Sequence, residues 1–280
     1  MTQAGAPAGA AGVGKSVEAF GIRTNFHECG AGEPVVLLHG SGPGVSAWTN
    51  WRRVLPLLGE QFRVLAPDMA GFGFTERRED LTYDIKLWVK HLLGFMDALG
   101  LESAHLVGNS FGGSLALAAA LRFPDRFGRL TLMGTPCGKF NMTPGLRAGW
   151  FYEPSIDNMR SVMSLFPFDQ TIVTDELVRE RYETSLIPGA QEGLRRLLMK
   201  PNEEGDTPLS GMPEEAVSHL KHRTLVMHGR EDYVIPVELG LRLAATIPNA
   251  DFHLFGRCGH WVQAERFDEF LELTTRHLRS

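Results

Sequence analysis

The seventeen residues HLVGNSFGGSLALAAAL, His105 to Leu121, constrain the fold more than any other stretch of the chain. An apolar, strand-like run leads into a glycine-bracketed serine, and an alanine-rich helical run leaves it. Gly108-Asn109-Ser110-Phe111-Gly112 matches G-x-S-x-G, a pattern that carries weight only between a strand and a helix. That is where it sits. A turn this sharp strains the serine backbone and needs neighbours without Cβ atoms. Ser110 Oγ then stands at the carboxyl edge of a sheet, beside a helix N-terminus whose free N–H groups favour negative charge. The alternative is a polar residue in a glycine-rich connection.

Short apolar runs at 34–40, 62–68, 104–110, 129–135, 223–229 and 251–255 read as strands. Several lack polar alternation, as parallel strands buried on both faces do. Helical stretches at 84–99, 111–123, 237–247 and 264–278 separate them. The pattern predicts an α/β fold with a mostly parallel, helix-covered central sheet. Residues 136–213 break the alternation, with aromatics, methionines and prolines but no clear strand. They read as a helical lid inserted into a core made of 17–135 and 214–280. A helical extension with no role at the active site is the other reading. Residues 1–16 read as a flexible tail, since they lack the basic start and apolar core of a signal peptide.

The bulk properties remove several classes. A net charge of −5 without a basic stripe argues against nucleic acid as a partner. No apolar run approaches the roughly 20 residues that a membrane span needs. Cys29, Cys137 and Cys258 are odd in number and far apart, so they form neither a disulfide framework nor a metal signature. A reducing cytoplasm suits them.

A serine nucleophile needs a base and an orienting acid, in the chain order Ser, acid, His on this kind of sheet. Asp232 follows the strand RTLVMHG, and His260 follows DFHLF ahead of the last helix. Both lie where strand ends converge. Their structural alternatives are a solvated loop carboxylate and a helix-capping imidazole. His253 lies within a strand, His228 ends its strand too early, and His39 belongs to a loop. That loop, HGSGPGVSAW (39–48), is the expected source of one oxyanion donor, the N–H of Ser41, with Gly42 close by. The N–H of Phe111 is the other.

Together these residues resemble the α/β-hydrolase superfamily over residues 17 to 278, and more closely its meta-cleavage product hydrolases. HGSGPG with Trp48 and Asn50 following, GNSFGG, APDMAGFG and His260-Trp261 carry the finer likeness. The look is nearest to 2-hydroxymuconic semialdehyde hydrolases. The resemblance implies ketonisation and then hydrolysis of the C5–C6 bond of a 2-hydroxy-6-oxo-hexa-2,4-dienoate. The products are 2-hydroxypenta-2,4-dienoate and a carboxylic acid. It also implies that Arg181 takes the substrate carboxylate, and that Gly42, Asn50, Asn109 and Trp261 face the substrate. Trp261 as core and Asn109 as a turn-stabilising amide stay open.

No cofactor or metal is called for, and the implied partner is a small-molecule dienoate. Relatives imply a cytoplasmic homo-oligomer, a dimer or larger, although no residue marks an interface. A carboxylesterase, lactonase or perhydrolase shares the Ser110, Asp232 and His260 set. A non-enzymatic binding module on the same fold is the more distant alternative.

Overall fold

The computed structural model describes residues 12–190 and 208–280. The chain opens with a hairpin, β1 (Lys15–Ala19) and β2 (Ile22–Cys29), closed by Phe20 and Gly21, both with positive φ. Lys15 and Ser16 therefore belong to a strand, which shortens the expected tail. Residues 1–11, the rest of that tail, lie outside the described residues.

The remaining sheet strands are β3 (Pro34–Leu38), β4 (Arg63–Pro67), β5 (Ala104–Asn109), β6 (Phe127–Met133), β9 (Thr224–Gly229) and β10 (Ala250–Phe255). Eight strands run in the order β1-β2-β4-β3-β5-β6-β9-β10. From β4 to β10 every pairing is parallel, and the two pairings of β2 are antiparallel. The unalternating apolar runs are explained by burial on both faces. Val35, Val36, Leu37 and Leu38 of β3 are all inaccessible.

Two apolar layers sandwich the sheet. One contains α3 (Ile85–Ala98) and α4 (Phe111–Arg122), with Leu92, Phe95, Leu115 and Ala119 packed on Val36, Leu106 and Leu132. Asp84 caps α3 by accepting the Leu87 N–H, which fixes where that helix starts. On the other face are α1 (Ala47–Trp51), α2 (Val54–Leu58) and the last helix (Phe267–Arg279), around Val35, Leu37, Trp51 and Phe270. None of the described helices is long and apolar enough to cross a membrane.

Between β6 and β9 the described chain forms α5 (Pro144–Trp150), α6 (Ile156–Met163) and α7 (Asp175–Ser185). The segment is not purely helical. Lys139–Phe140 (β7) pairs antiparallel with Leu209–Ser210 (β8) and ties its two ends together. Two-residue strands carry too little pattern to be read from sequence. Tyr152, Met159, Met163 and Phe166 form a third core with Val234, Ile235 and Trp261, so this segment packs onto the sheet's carboxyl edge. Phe151 and Phe168 of the same segment are 55% and 41% exposed.

Candidate active site

The carboxyl ends of β3, β5, β6, β9 and β10 bring the candidate residues together. Ser110 sits between β5 and α4 with φ 55° and ψ −113°, a strained conformation for a residue with a Cβ. Its N–H donates to the Met133 carbonyl at 2.7 Å. The flanking glycines are steric necessities. A Cβ on Gly108 would lie 2.5 Å from the Gly112 carbonyl group, and one on Gly112 would lie 2.2 Å from the Leu38 carbonyl oxygen. Ser110 therefore sits on a tight, sterically enforced strand-to-helix turn rather than in a loose connection.

The loop after β3 is held by His39. A backbone N–H can only donate and a carbonyl can only accept, so Nδ1–H donates to Gly40 O at 2.7 Å. Nε2 accepts the Met69 N–H at 3.0 Å. Burial pushes the His39 pKa down, which suits this neutral, two-point role. Gly40 packs against Asn109 and Ser110. The N–H groups of Ser41 and Phe111 make no hydrogen bond among the described residues.

Asp232 lies in the turn after β9. Its Oδ1 accepts the N–H groups of Val234 and Ile235, both at 2.8 Å, and its Oδ2 accepts His260 Nδ1–H at 2.7 Å. Burial alone would raise this carboxyl. The charge and hydrogen bond of His260, with a hydrogen bond from His228, outweigh burial and hold it well below the usual carboxylate range. An ionised Asp232 can only accept, so the proton of His260 is on Nδ1 and the Nε2 lone pair is free for a hydroxyl. No hydrogen bond joins Ser110 Oγ to His260 in this structure.

His260 is clamped from several sides. Its N–H donates to Phe166 O at 2.7 Å, and its carbonyl accepts Asn109 Nδ2–H at 3.3 Å. Gly134, just past β6, leaves room for the ring. A Cβ there would lie 2.8 Å from His260 Cε1 and Nδ1. Glu265 accepts from Gly259 N at 2.9 Å, Phe168 N at 2.7 Å and Asp169 N at 3.1 Å, joining the histidine loop to the inserted segment.

Arg181 is the most revealing side chain. It is 5% exposed, its Nε–H donates to Pro43 O at 3.0 Å, and no carboxylate lies within ion-pair distance among the described residues. Burial lowers its pKa to about 10, so it remains a cation at neutral pH. Arg179, on another face of α7, is exposed. Gly42 packs against the guanidinium. A cavity of about 320 Å³ beside Arg181 is also lined by Asn50, Trp261 and Gln263. Asn50 Nδ2 and Gln263 Oε1 are buried there without a partner. Ser110 does not line this cavity.

The structure thus gathers Ser110, Asp232 and His260 at one edge and Arg181, Asn50 and Trp261 at one cavity, with Gly42 against the Arg181 guanidinium. Asn109 differs from the sequence expectation in one respect, since its amide N–H is engaged with the His260 backbone. Trp261, 9% exposed, is both cavity wall and part of the third core. Gln263, Gly134 and Glu265 were not singled out from sequence. His228, set aside from the sequence because it ends its strand too early, has its Nε2 3.3 Å from Asp232 Oδ2. The four-residue spacing His228 to Asp232 across a glycine turn is the signal that was there to find.

Comparison with known proteins fits this geometry. Residues 33–153 match the family model described as alpha/beta hydrolase fold. A 2-hydroxy-6-oxo-2,4-heptadienoate hydrolase of Pseudomonas putida is 50% identical over 95% of this chain and 96% of its own. The chain belongs to the meta-cleavage product hydrolases. A 2-hydroxymuconate semialdehyde hydrolase of a Pseudomonas species is 47% identical over 96% of this chain and 94% of its own. The solved meta-cleavage product hydrolase of Pseudomonas fluorescens superposes with a TM-score of 0.90 at 48% identity, covering 95% of this chain and 98% of that one. Membership makes the chain a hydrolase acting on carbon–carbon bonds, on the α/β-hydrolase fold.

Proposed function

We propose that this enzyme hydrolyses the C5–C6 bond of 2-hydroxy-6-oxohexa-2,4-dienoates with hydrogen or a small alkyl group at C6. The products are 2-hydroxypenta-2,4-dienoate and the matching carboxylic acid. The observation that carries the substrate class is Arg181, a buried cation with no carboxylate at ion-pair distance among the described residues, next to Asn50 and Gln263, which carry buried polar atoms without a partner there. A buried charge is costly unless something pairs with it. The C1 carboxylate of a dienoate supplies that pair, and a guanidinium fork suits it bidentately. Names of relatives at 50% and 47% identity support a small C6 group.

Breaking a carbon–carbon bond requires a leaving carbanion that is stabilised. Ketonisation provides it, because moving the 2-hydroxyl proton to C5 leaves a 2-oxo group conjugated through C3 and C4. His260 Nε2 takes the hydroxyl proton and returns it at C5, with Asp232 steadying the imidazolium. Ser110 Oγ, or a water that it activates, then adds to C6. The N–H groups of Ser41 and Phe111 take the oxyanion, each such donor being worth about 10²–10³ in rate. Collapse expels C5 as the dienolate of the 2-oxo group. His260 transfers a proton, and water releases the acid from Ser110.

This division of roles has a direct kinetic test. In stopped-flow with 2-hydroxy-6-oxohepta-2,4-dienoate, His260→Ala leaves the yellow dienolate in place. Ser110→Ala lets it ketonise and stops there. Identical traces for the two variants reject the assignment. The free thiols Cys29, Cys137 and Cys258 support a cytoplasmic setting. Family likeness supports a homo-oligomer as the working assembly.

A further inference from the structure

His228 ends β9, is fully buried, and takes no part in the chemistry above. Its Nε2 lies 2.9 Å from Ile235 O and 3.3 Å from Asp232 Oδ2. A carbonyl and an ionised carboxylate only accept, so Nε2 carries the proton and divides it between them, the shorter branch going to Ile235. Asp232 Oδ1 in turn accepts the Ile235 N–H at 2.8 Å. His228, Ile235 and Asp232 therefore close a ring of contacts around the turn that presents the acid.

The far side of the imidazole shows that the pocket is shaped for it. Nδ1 has no hydrogen-bond partner, and a Cβ on Gly240 of the helix after the turn (Val237–Thr246) would lie 2.2 Å from it. An orphaned buried nitrogen is a cost, and the polar contacts on the opposite edge of the ring offset it. A side chain present only to fill space would be apolar here. Burial opposes charge on His228, while Asp232 and the Ile235 carbonyl favour it and prevail, so its pKa lies above the ordinary imidazole value. Either charge state keeps the Nε2 proton in place.

We infer that His228 is a positioning residue of the triad, fixing the rotation of the Asp232 carboxylate so that Oδ2 meets His260 Nδ1–H. The inference rests on the reading of Ser110, His260 and Asp232 as the triad. His228 never touches substrate. Its effect passes through Asp232 to the orientation of His260, so it acts on turnover rather than on affinity.

The test compares His228→Met, which fills the space without a donor, with His228→Gln, whose amide N–H reaches the same position. With 2-hydroxy-6-oxohepta-2,4-dienoate, His228→Met lowers kcat about tenfold and leaves KM within about twofold. The low-field proton resonance of the His260–Asp232 hydrogen bond shifts or disappears. His228→Gln recovers most of the rate and the resonance. A folded His228→Met with normal kcat and an unchanged resonance overturns the inference, as does a His228→Gln equally impaired. If His228→Met does not fold, nitrogen-15 shifts of the wild-type imidazole decide: a proton on Nε2 supports the inference and an unprotonated Nε2 overturns it. Full turnover by Ser110→Ala and Asp232→Asn identifies failure of the triad reading instead.

Discussion

Replacing Arg181 with methionine separates what this residue does for the substrate from what it does for the fold. Among the described residues its guanidinium makes one hydrogen bond, Nε–H to Pro43 O at 3.0 Å, and no carboxylate lies at ion-pair distance. Losing the bond leaves a buried carbonyl unpaired, at about 1–3 kcal/mol. Removing an uncompensated buried charge recovers about 1–4 kcal/mol. These offset, so urea unfolding should place Arg181→Met within about 1 kcal/mol of wild type, or above it. Catalysis moves the other way. Truncating one side of a desolvated ion pair costs about 2–5 kcal/mol, which is roughly 30- to 4,000-fold in kcat/KM on the heptadienoate. An ethyl ester of the same substrate, lacking the carboxylate charge, reads out the pairing. The variant and the ester should each lose activity, and the two losses should not add. A variant destabilised by more than about 3 kcal/mol with kcat/KM within threefold of wild type would make Arg181 structural and remove the basis for a carboxylated substrate.

Gly134→Ala places a Cβ 2.8 Å from His260 Cε1 and Nδ1 at a φ of +52°, so the imidazole must move. We expect kcat to fall about 10²-fold, and an unchanged kcat would mean that the ring has slack. His91 Nε2–H donates to Thr24 Oγ1 at 2.7 Å and its Nδ1 accepts the Ala70 N–H at 3.3 Å, leaving no site for a second proton; its pKa falls from 6.5 to about 4. The unfolded chain binds that proton first, so this contribution is complete above pH 6.5 and is lost as pH falls towards 4, about 3 kcal/mol in all. Unfolding free energies at pH 7.5 and 4.5 should differ less in His91→Gln than in wild type; equal differences contradict the assignment. Glu265→Ala strands the N–H groups of Gly259, Phe168 and Asp169, and a loss of about 1–2 kcal/mol together with reduced kcat is expected. Unchanged melting and turnover would show that this latch is dispensable.

The parallel strands were legible because burial on both faces removes polar alternation, which β3 and β5 show plainly. The tight turn at Ser110 was legible because both its glycines lie in one short stretch, although the Gly112 requirement comes from the Leu38 carbonyl of a neighbouring strand. The hairpin β1–β2 was not read, since Lys15–Ala19 is a half-exposed edge strand with little apolar content. Asp232 and His260 followed from chain order, but what holds them did not. Glu265, Gly134 and Phe166 act through backbone groups and ring edges brought together from a helix, a strand end and the inserted segment, and no local pattern encodes those meetings. Asn109 is a similar case. Its amide reaches the His260 carbonyl, 151 residues away along the chain.

The proposed reaction is cleavage of a carbon–carbon bond of an acidic dienoate at this site. The most direct test is to incubate the purified protein with 2-hydroxy-6-oxohepta-2,4-dienoate in water enriched in oxygen-18 and identify the products by mass spectrometry. The expected outcome is 2-hydroxypenta-2,4-dienoate and acetate in equal amounts, with the label in acetate, and neither product from Ser110→Ala. Unchanged dienoate, or ketonised substrate that is never cleaved by the wild-type protein, would contradict it.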